Sequence, residues 1–426
     1  MLTIDKINEL LEIKESFHAS YKLCDILKNQ EERENLFFAF LQEEQDLSFD
    51  WFTEYFQEEH SDRKGKKQDF TPDGIIKVAS GVLGVTKSNA DLCAGTGGLT
   101  IKRWSENPEA FFYCEEFSDR AVPFLIFNLA IRNVDAVICH GDSLTRDFKA
   151  VYKLTRAERY STVEELEIAP EFKAETVIMN PPYSMPWKPE KEYLGQERFK
   201  EFEVLAPKSK SDYAFLLTGL DMLDENGTMS IILPHGVLFR GSAEGSIRKR
   251  LIEMNTLDAV IGMPDKAFLA TDIPTAILVL RKHRTTTDIL FIDAATECTK
   301  RGKQNVVEQH HVDRILHTVK ERQSVDKFSK VVSLEEIKAN DFNLNIPRYV
   351  DTFEPEEVPS LAEIVSDLKE VDAKIEKSYQ ELATMMQELV ASDSKTQKEL
   401  DDFTRYFTER ANQYRPRKRG EQLSLL

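Results

Sequence analysis

A chain of 426 residues exceeds what one hydrophobic core of about 250–300 residues usually organises, so a catalytic core with one or two smaller modules is expected. The hydrophobic fraction of 41% is ordinary for a globular protein, and no stretch approaches the roughly 18 apolar residues that a membrane-spanning helix needs, so a chain with no membrane partner is expected. The formal net charge of −18 opposes unaided binding to nucleic-acid phosphates; such contacts require a local basic face or a basic partner.

The five cysteines, Cys24, Cys93, Cys114, Cys139 and Cys298, form an odd set without a C-x-x-C pair. They fit reduced thiols better than a disulfide framework or a zinc site, and no metal is expected. The opening MLTIDKINELLEIKES threads charges through an apolar helical pattern and lacks the unbroken apolar core of a secretory signal, which predicts a cytoplasmic location.

In chain order, apolar residues at helical spacing (Leu10, Ile13, Phe17, Leu36, Phe40) predict a small N-terminal helical module over residues 1–65, closing in the charged stretch Lys64-Gly65-Lys66-Lys67. Thr71-Pro72 reads as an N-cap followed by proline at the first helical position, ahead of Ile75, Ile76, Ala79, Val82 and Leu83 on one face. Short apolar runs then alternate with helical segments: Ala90–Cys93, Ala110–Cys114, Ala136–His140, Thr176–Met179, Met229–Leu233, Asp258–Gly262 and Ala276–Leu280. This alternation predicts an α/β domain over residues 66–350 built on a parallel, doubly wound, Rossmann-like sheet. Ligands of such sheets sit beyond the carboxyl ends of the strands where strand order reverses, which directs attention to the ends of the first and fourth runs. From Leu361 through Ile364, Leu368, Val371, Ile375, Leu382, Met385 and Leu389 the spacing predicts C-terminal helices over residues 351–426, as a coiled-coil seam or packed on their own domain. The basic Arg415–Arg419 reads as a solvated end.

The loop DLCAGTGG leaves the first run and enters a helix, so its glycines let a ligand approach the backbone. A phosphate-binding loop would need glycine where Thr86 stands between Gly81 and Lys87-Ser88, and a dinucleotide fingerprint starting at Gly95 and Gly97 would need glycine at Thr100. An acidic Asp91 ahead of Gly95-Thr96-Gly97-Gly98 fits instead a cofactor with a cationic amino-acid end and no phosphate, S-adenosylmethionine. The next run, FFYCEEF, ends in Glu115 and Glu116 at the distance along the chain where a carboxylate accepts ribose hydroxyls, and motif spacing selects Glu116. Asp142 sits on the same rim, placed to meet the adenine amino group; His140 beside it reads as structural.

Asn180-Pro181-Pro182-Tyr183 follows the apolar TVIM directly, and so lies across the switch point from the glycine loop. Methyl transfer to an exocyclic amine must free a lone pair that is delocalised into the ring. The Asn180 side-chain oxygen and the Pro181 carbonyl can each take one amino hydrogen and do so. The paired prolines Pro181 and Pro182 stiffen the loop, and Tyr183 offers a flat face for a base flipped out of a duplex. Trp187, in SMPW, reads more readily as packing than as a substrate contact.

The order QDFTP, DLCAGTGG, EEFSD, GDSL and NPPY resembles that of the amino-methyltransferases of DNA whose first motif precedes the glycine loop. The run from SDYAFLLTGL to VIGMP, followed by TAILVLRK, is similar to the modification subunit of type I restriction-modification systems, over roughly Gln68 to Arg348. The resemblance implies a methyltransferase of DNA adenine with Gln68, Asp69, Phe70, Thr71, Pro72 and Asp73 around the S-adenosylmethionine together with Thr96–Gly98, Glu116 at the ribose, and Asn180–Tyr183 at the adenine. It implies as partners double-stranded DNA with a flipped adenine, a specificity subunit, a second modification subunit and a restriction subunit, with the C-terminal helices as the docking element. Leu92 and Ala94 depart from the family's usual proline and cysteine, and the N-terminal module is shorter than is usual. Methylation of a protein glutamine amide and an inactive scaffolding subunit are the alternative readings.

Overall fold

The structure, a computed structural model, describes residues 2–59, 70–268, 272–353 and 360–413. Gln68, Asp69, the Lys64–Lys67 stretch and Arg415–Arg419 lie outside them. The chain divides into two compact units, residues 1–352 and 353–426.

The first unit opens with helices α1 (Ile4–Leu10), α2 (Ala19–Lys28), α3 (Gln30–Glu43) and α4 (Thr53–Glu59), followed by α5 (Asp73–Gly81). Thr3 and Asn29 cap α1 and α3 by accepting the backbone N–H of Lys6 and Glu32, donors that a helix start leaves unsatisfied. The chain then alternates through β1 (Ser88–Asp91), α6 (Gly98–Glu106), β2 (Phe111–Glu116), α7 (Val122–Ile131) and β3 (Asp135–Asp142). A hairpin of β4 (Asp147–Thr155) and β5 (Thr162–Leu166) leads to β6 (Ala174–Met179), α8 (Asp212–Met222), β7 (Leu223–Pro234), α9 (Ser242–Glu253), β8 (Leu257–Gly262) and β9 (Thr275–Arg281). The unit closes with β10 (Ile289–Asp293), a small ribbon of β11 (Thr299–Arg301) and β12 (Gln304–Val306), α10 (Gln309–Glu321), β13 (Ser329–Val332) and α11 (Leu334–Ala339).

All seven apolar runs form strands of one eleven-stranded sheet in the order β13-β10-β8-β9-β7-β6-β1-β2-β3-β4-β5. Its centre, from β7 through β6, β1 and β2 to β3, is parallel. The chain runs outward from β1 to β2 and β3 and then crosses back to β6, so the carboxyl ends of β1 and β6 border the switch point. The sheet is doubly wound, but not wholly parallel as the sequence led us to expect: β9 lies antiparallel between β7 and β8, and β4, β5 and β13 are antiparallel at the edges. The connection from β8 to β9 carries no helix among its described residues, so the chain turns back beside β8 instead of crossing over.

Strand periodicity divides the core. Tyr113, Val137, Val177 and Met179 pack on one face with residues of α8 and α9, while Phe112, Cys114 and Ile138 face α6 and α7 on the other. Every residue of α7 is buried, because the sheet covers one side and the N-terminal helices the other. The Phe127 ring lies 4.9 Å from Phe37, 4.8 Å from Phe40 and 5.2 Å from Phe52. Helices α1–α4 therefore share a core with the sheet domain.

In the second unit, α12 (Leu361–Gln387) folds back through a short connection onto α13 (Ser394–Gln413), with Tyr379 against Phe407 at 5.8 Å. Ser360 and Glu363 form a capping box at the start of α12. Leu361, Ile364, Val365, Leu368 and Val371 are exposed along it. No described helix is long and apolar enough to cross a membrane.

Candidate cofactor and substrate site

The glycine loop joins β1 to α6 and is held at successive residues. The Ala94 N–H donates to the Glu115 carbonyl (3.0 Å), the Gly95 N–H to Glu116 Oε2 (2.8 Å), and the Gly97 N–H back to the Ala94 carbonyl (2.8 Å). Gly95 (φ +57°) and Gly97 (φ +106°) take left-handed backbone that a side chain would strain. A Cβ on Gly97 would press on Leu125 at 3.1 Å, whereas one on Gly95 would meet only the Phe70 ring, at 4.0 Å. The loop is thus packed on its α7 side and open beside Gly95.

Asp91, at the end of β1, is completely buried and accepts the Cys93 N–H (3.1 Å) and the Thr100 hydroxyl (3.3 Å). Burial, reinforced by the charges of Glu116 and Glu115, pushes its pKa up to about 7. The two glutamates of β2 part company by strand alternation. Glu116 turns to the glycine loop, with Oε1 accepting the Ser118 N–H (2.7 Å). Glu115 turns to the opposite face, where it pairs with Arg146. Asp142, at the end of β3, accepts the Leu144 N–H at 2.8 Å. His140 Nε2 stands 2.9 Å from Asp119 Oδ1.

This division yields a ranking. Glu116→Ala is expected to weaken S-adenosylmethionine binding by about 1.5–3 kcal/mol, the scale of hydrogen bonds to a charged group, while Glu115→Ala weakens it less and lowers thermal stability by stranding Arg146. Calorimetric titration of both variants checks this, and a reversed ranking would move the expected ribose contact to Glu115.

The Asn180–Tyr183 loop leaves β6 on the other side of the switch point. The Asn180 carboxamide is tied at both ends: Nδ2 donates to Thr71 Oγ1 (2.8 Å), and Oδ1 accepts the Tyr183 hydroxyl (2.7 Å). Thr71 therefore does not cap α5 as expected. Pro72, whose ring carries no acceptor, holds the N-cap position, and the Thr71 oxygen accepts from Asn180 instead. Phe70 and Thr71 thus bridge the two loops, one against Gly95 and the other on Asn180. Asp73 is exposed and pairs with Lys77. Trp187 is buried, its Nε1 donating to the Pro207 carbonyl at 3.1 Å, which is packing.

Three features escaped the sequence reading. Ser184, just after the loop, has φ +50° and is held by buried Asp212, which accepts its N–H at 2.7 Å; Arg240 joins Asp212 (2.8 Å) to Glu244 (3.1 Å) behind it. The Phe268 ring meets the Tyr183 ring edge-on at 5.9 Å. Asp50 reaches the Thr96 hydroxyl. A charge inside the apolar SDYAFLL was the one available hint, for Asp212.

A Rossmann-like sheet with a glycine loop and acidic strand ends on one side of the switch point, and an Asn-Pro-Pro-Tyr loop on the other, defines the class I methyltransferase fold. The N-6 DNA Methylase family matches residues 45–358, and the chain belongs to that family. It is 30% identical over 336 residues to the type I restriction enzyme MpnII methylase subunit of Mycoplasma pneumoniae, covering 74% of this chain and 60% of that protein. Identity to the MjaVIII methylase subunit of Methanocaldococcus jannaschii is 26% over 357 residues, 80% of this chain and 59% of the other. Among solved structures, the type I restriction-modification methyltransferase subunit of Streptococcus thermophilus superposes with a TM-score of 0.60 at 36% identity, over 67% of this chain and 59% of that one. The chain spans about 60% of the length of these relatives.

Proposed function

We propose that the chain is an S-adenosylmethionine-dependent, adenine-specific DNA methyltransferase acting as the modification subunit of a type I restriction-modification complex. The observation that carries the reading is the Asn180 carboxamide, fixed by Thr71 and Tyr183 at the end of β6 and linked through Phe70 to the open side of the glycine loop. Family membership and the methylase subunits it resembles support it.

Phe70–Asp73, Asp91, Gly95–Gly98, Glu116 and Asp142 are the residues that would hold the cofactor, with Gln68 and Asp69 ahead of them. When bound, S-adenosylmethionine supplies an electrophilic methyl group. The open Gly95 edge and the buried Asp91 suit its cationic amino-acid end. Asn180 Oδ1 and the Pro181 carbonyl each accept one hydrogen of the adenine amine, which turns its lone pair toward the donor and requires no strong base. Thr71 keeps the carboxamide oriented with its oxygen free at the second lone pair. Tyr183 stacks on the flipped base.

Partners follow from the same reading: double-stranded DNA, a specificity subunit docked on α12 and α13, and, in the full assembly, a second modification subunit and a restriction subunit, all in the cytoplasm. The exposed apolar residues of α12 support this docking site, and the net charge of −18 opposes solitary DNA binding. The purified chain is expected to bind S-adenosylmethionine yet methylate DNA poorly and without site preference until a specificity subunit is added. Truncation from Ser360 should abolish co-purification with that subunit and spare cofactor binding. Mapping methylated adenines with and without the partner checks the prediction; efficient modification of one defined site by this chain alone overturns the proposal.

A further inference from the structure

Thr96, at the crest of the glycine loop, is held by a side chain from outside the sheet. Asp50 lies between α3 and α4, 8% exposed, and receives four hydrogen bonds. Its Oδ2 accepts the hydroxyls of Thr96 (2.5 Å) and Thr53 (2.9 Å), and its Oδ1 accepts Asn128 Nδ2 (2.7 Å) and the Phe52 N–H (2.9 Å). The Phe52 and Thr53 bonds are local, forming an Asx turn that leads into α4; the other two reach into the sheet domain. Asn128, on α7, also donates to the Thr96 carbonyl at 2.8 Å, so Thr96 is gripped through both its side chain and its backbone.

Arg132, one turn further along and just past the end of α7, closes the network. It donates to the carbonyls of Leu47 (2.8 Å), Phe49 (2.6 Å) and Asn128 (2.7 Å), and its guanidinium lies over the Trp51 ring at 5.4 Å. Its positive charge offsets that of buried Asp50, without which the carboxylate would be costly to bury. The Thr96 side chain is sealed from solvent and turned away from the open edge at Gly95, so its hydroxyl acts on a bound cofactor only through the position of the loop.

We propose that Asp50 is a positioning residue for the cofactor loop, and that through the Asp50–Thr96 bond the N-terminal helices and cofactor occupancy are energetically coupled. The proposal rests on the reading of the glycine loop as the S-adenosylmethionine site. Coupling of this kind is reciprocal: a shift of residues 47–53 changes cofactor affinity, and a seated cofactor stabilises residues 47–53.

The test uses the full chain, with calorimetric titration of S-adenosylmethionine, circular dichroism to verify folding, and hydrogen exchange of the backbone amides of residues 47–53. Thr96→Val and Asp50→Ala should each raise Kd about ten- to a hundredfold, and Thr96→Ser, which keeps the hydroxyl, should restore it. The double variant should bind no more weakly than the weaker single one, since both remove the same contact. Cofactor should slow exchange across residues 47–53 in the wild type and in Thr96→Ser, and not in Thr96→Val; a merely structural Asp50 would leave this protection intact. If Asp50→Ala does not fold, the Thr96→Val and Thr96→Ser pair decides. Wild-type binding that persists unchanged in Thr96→Val, or equal protection in both, overturns the coupling alone. A wild-type chain that binds no S-adenosylmethionine overturns the cofactor reading and the coupling with it.

Discussion

Asn180→Ala is expected to reduce methyl transfer to DNA by about a hundred- to a thousandfold or more, the cost of removing an acceptor aimed at charge that develops in the transition state. Cofactor affinity should change little, because no part of the Asn180 side chain belongs to the glycine loop or the acidic strand ends. The geometry adds a second expectation. Asn180 Nδ2 holds Thr71, whose neighbour Phe70 lies beside Gly95, so a small loss of cofactor affinity follows from loosening that bridge. Asn180→Asp keeps acceptor oxygens and lets the Thr71 hydroxyl become the donor, so it should retain more activity than alanine. Labelled-methyl transfer by the chain with the proposed specificity subunit, and calorimetry on the same preparations, separate the two effects. Near-normal turnover in Asn180→Ala would remove the loop from the chemistry.

The second large effect concerns pH. Burial and two nearby glutamates raise the Asp91 pKa to about 7, so in the free protein this carboxyl is protonated below neutrality and ionised above it. On the proposed reading, the cofactor's cationic amino-acid end would sit beside it, favour the ionised form and lower that pKa. Binding below pH 7 must therefore expel a proton, and affinity should rise about tenfold per pH unit up to about pH 7 and then level off. Between pH 5 and pH 8 the gain approaches about a hundredfold, with release of close to one proton per cofactor at the acid end. Titration calorimetry in buffers of different ionisation enthalpy counts that proton directly. Asp91→Asn should flatten the profile at the low-affinity level. An affinity independent of pH across this range in the wild type would show that Asp91 does not face the cation.

Both effects arise where local sequence already pointed. The seven apolar runs became strands because alternation or continuity of apolar side chains is a property of a few consecutive residues, and a glycine or proline at the end of such a run marks where the chain turns. Asp91, Glu116 and Asn180 were legible as candidates for that reason: Asp91 and Glu116 close their strands and Asn180 follows one directly, and the doubly wound pattern places those ends on one rim. Strand alternation turns Glu116 to the glycine loop and Glu115 to Arg146.

What remained hidden was the pairing of distant polar groups. Nothing near Asp50 signals that its partner is Thr96, 46 residues on, and nothing near Ser184 names Asp212 or Arg240. Thr71 looked like a helix cap because capping is a local rule, yet its oxygen went to Asn180, 109 residues away. The antiparallel insertion of β9 and the seating of α1–α4 on α7 were equally invisible, since both depend on which apolar surfaces meet once the chain is compact. Periodicity along the chain sets which face of an element is apolar. Which buried donor finds which acceptor is settled only by packing, because an unsatisfied polar group inside the protein costs about 1–3 kcal/mol wherever along the sequence its partner lies.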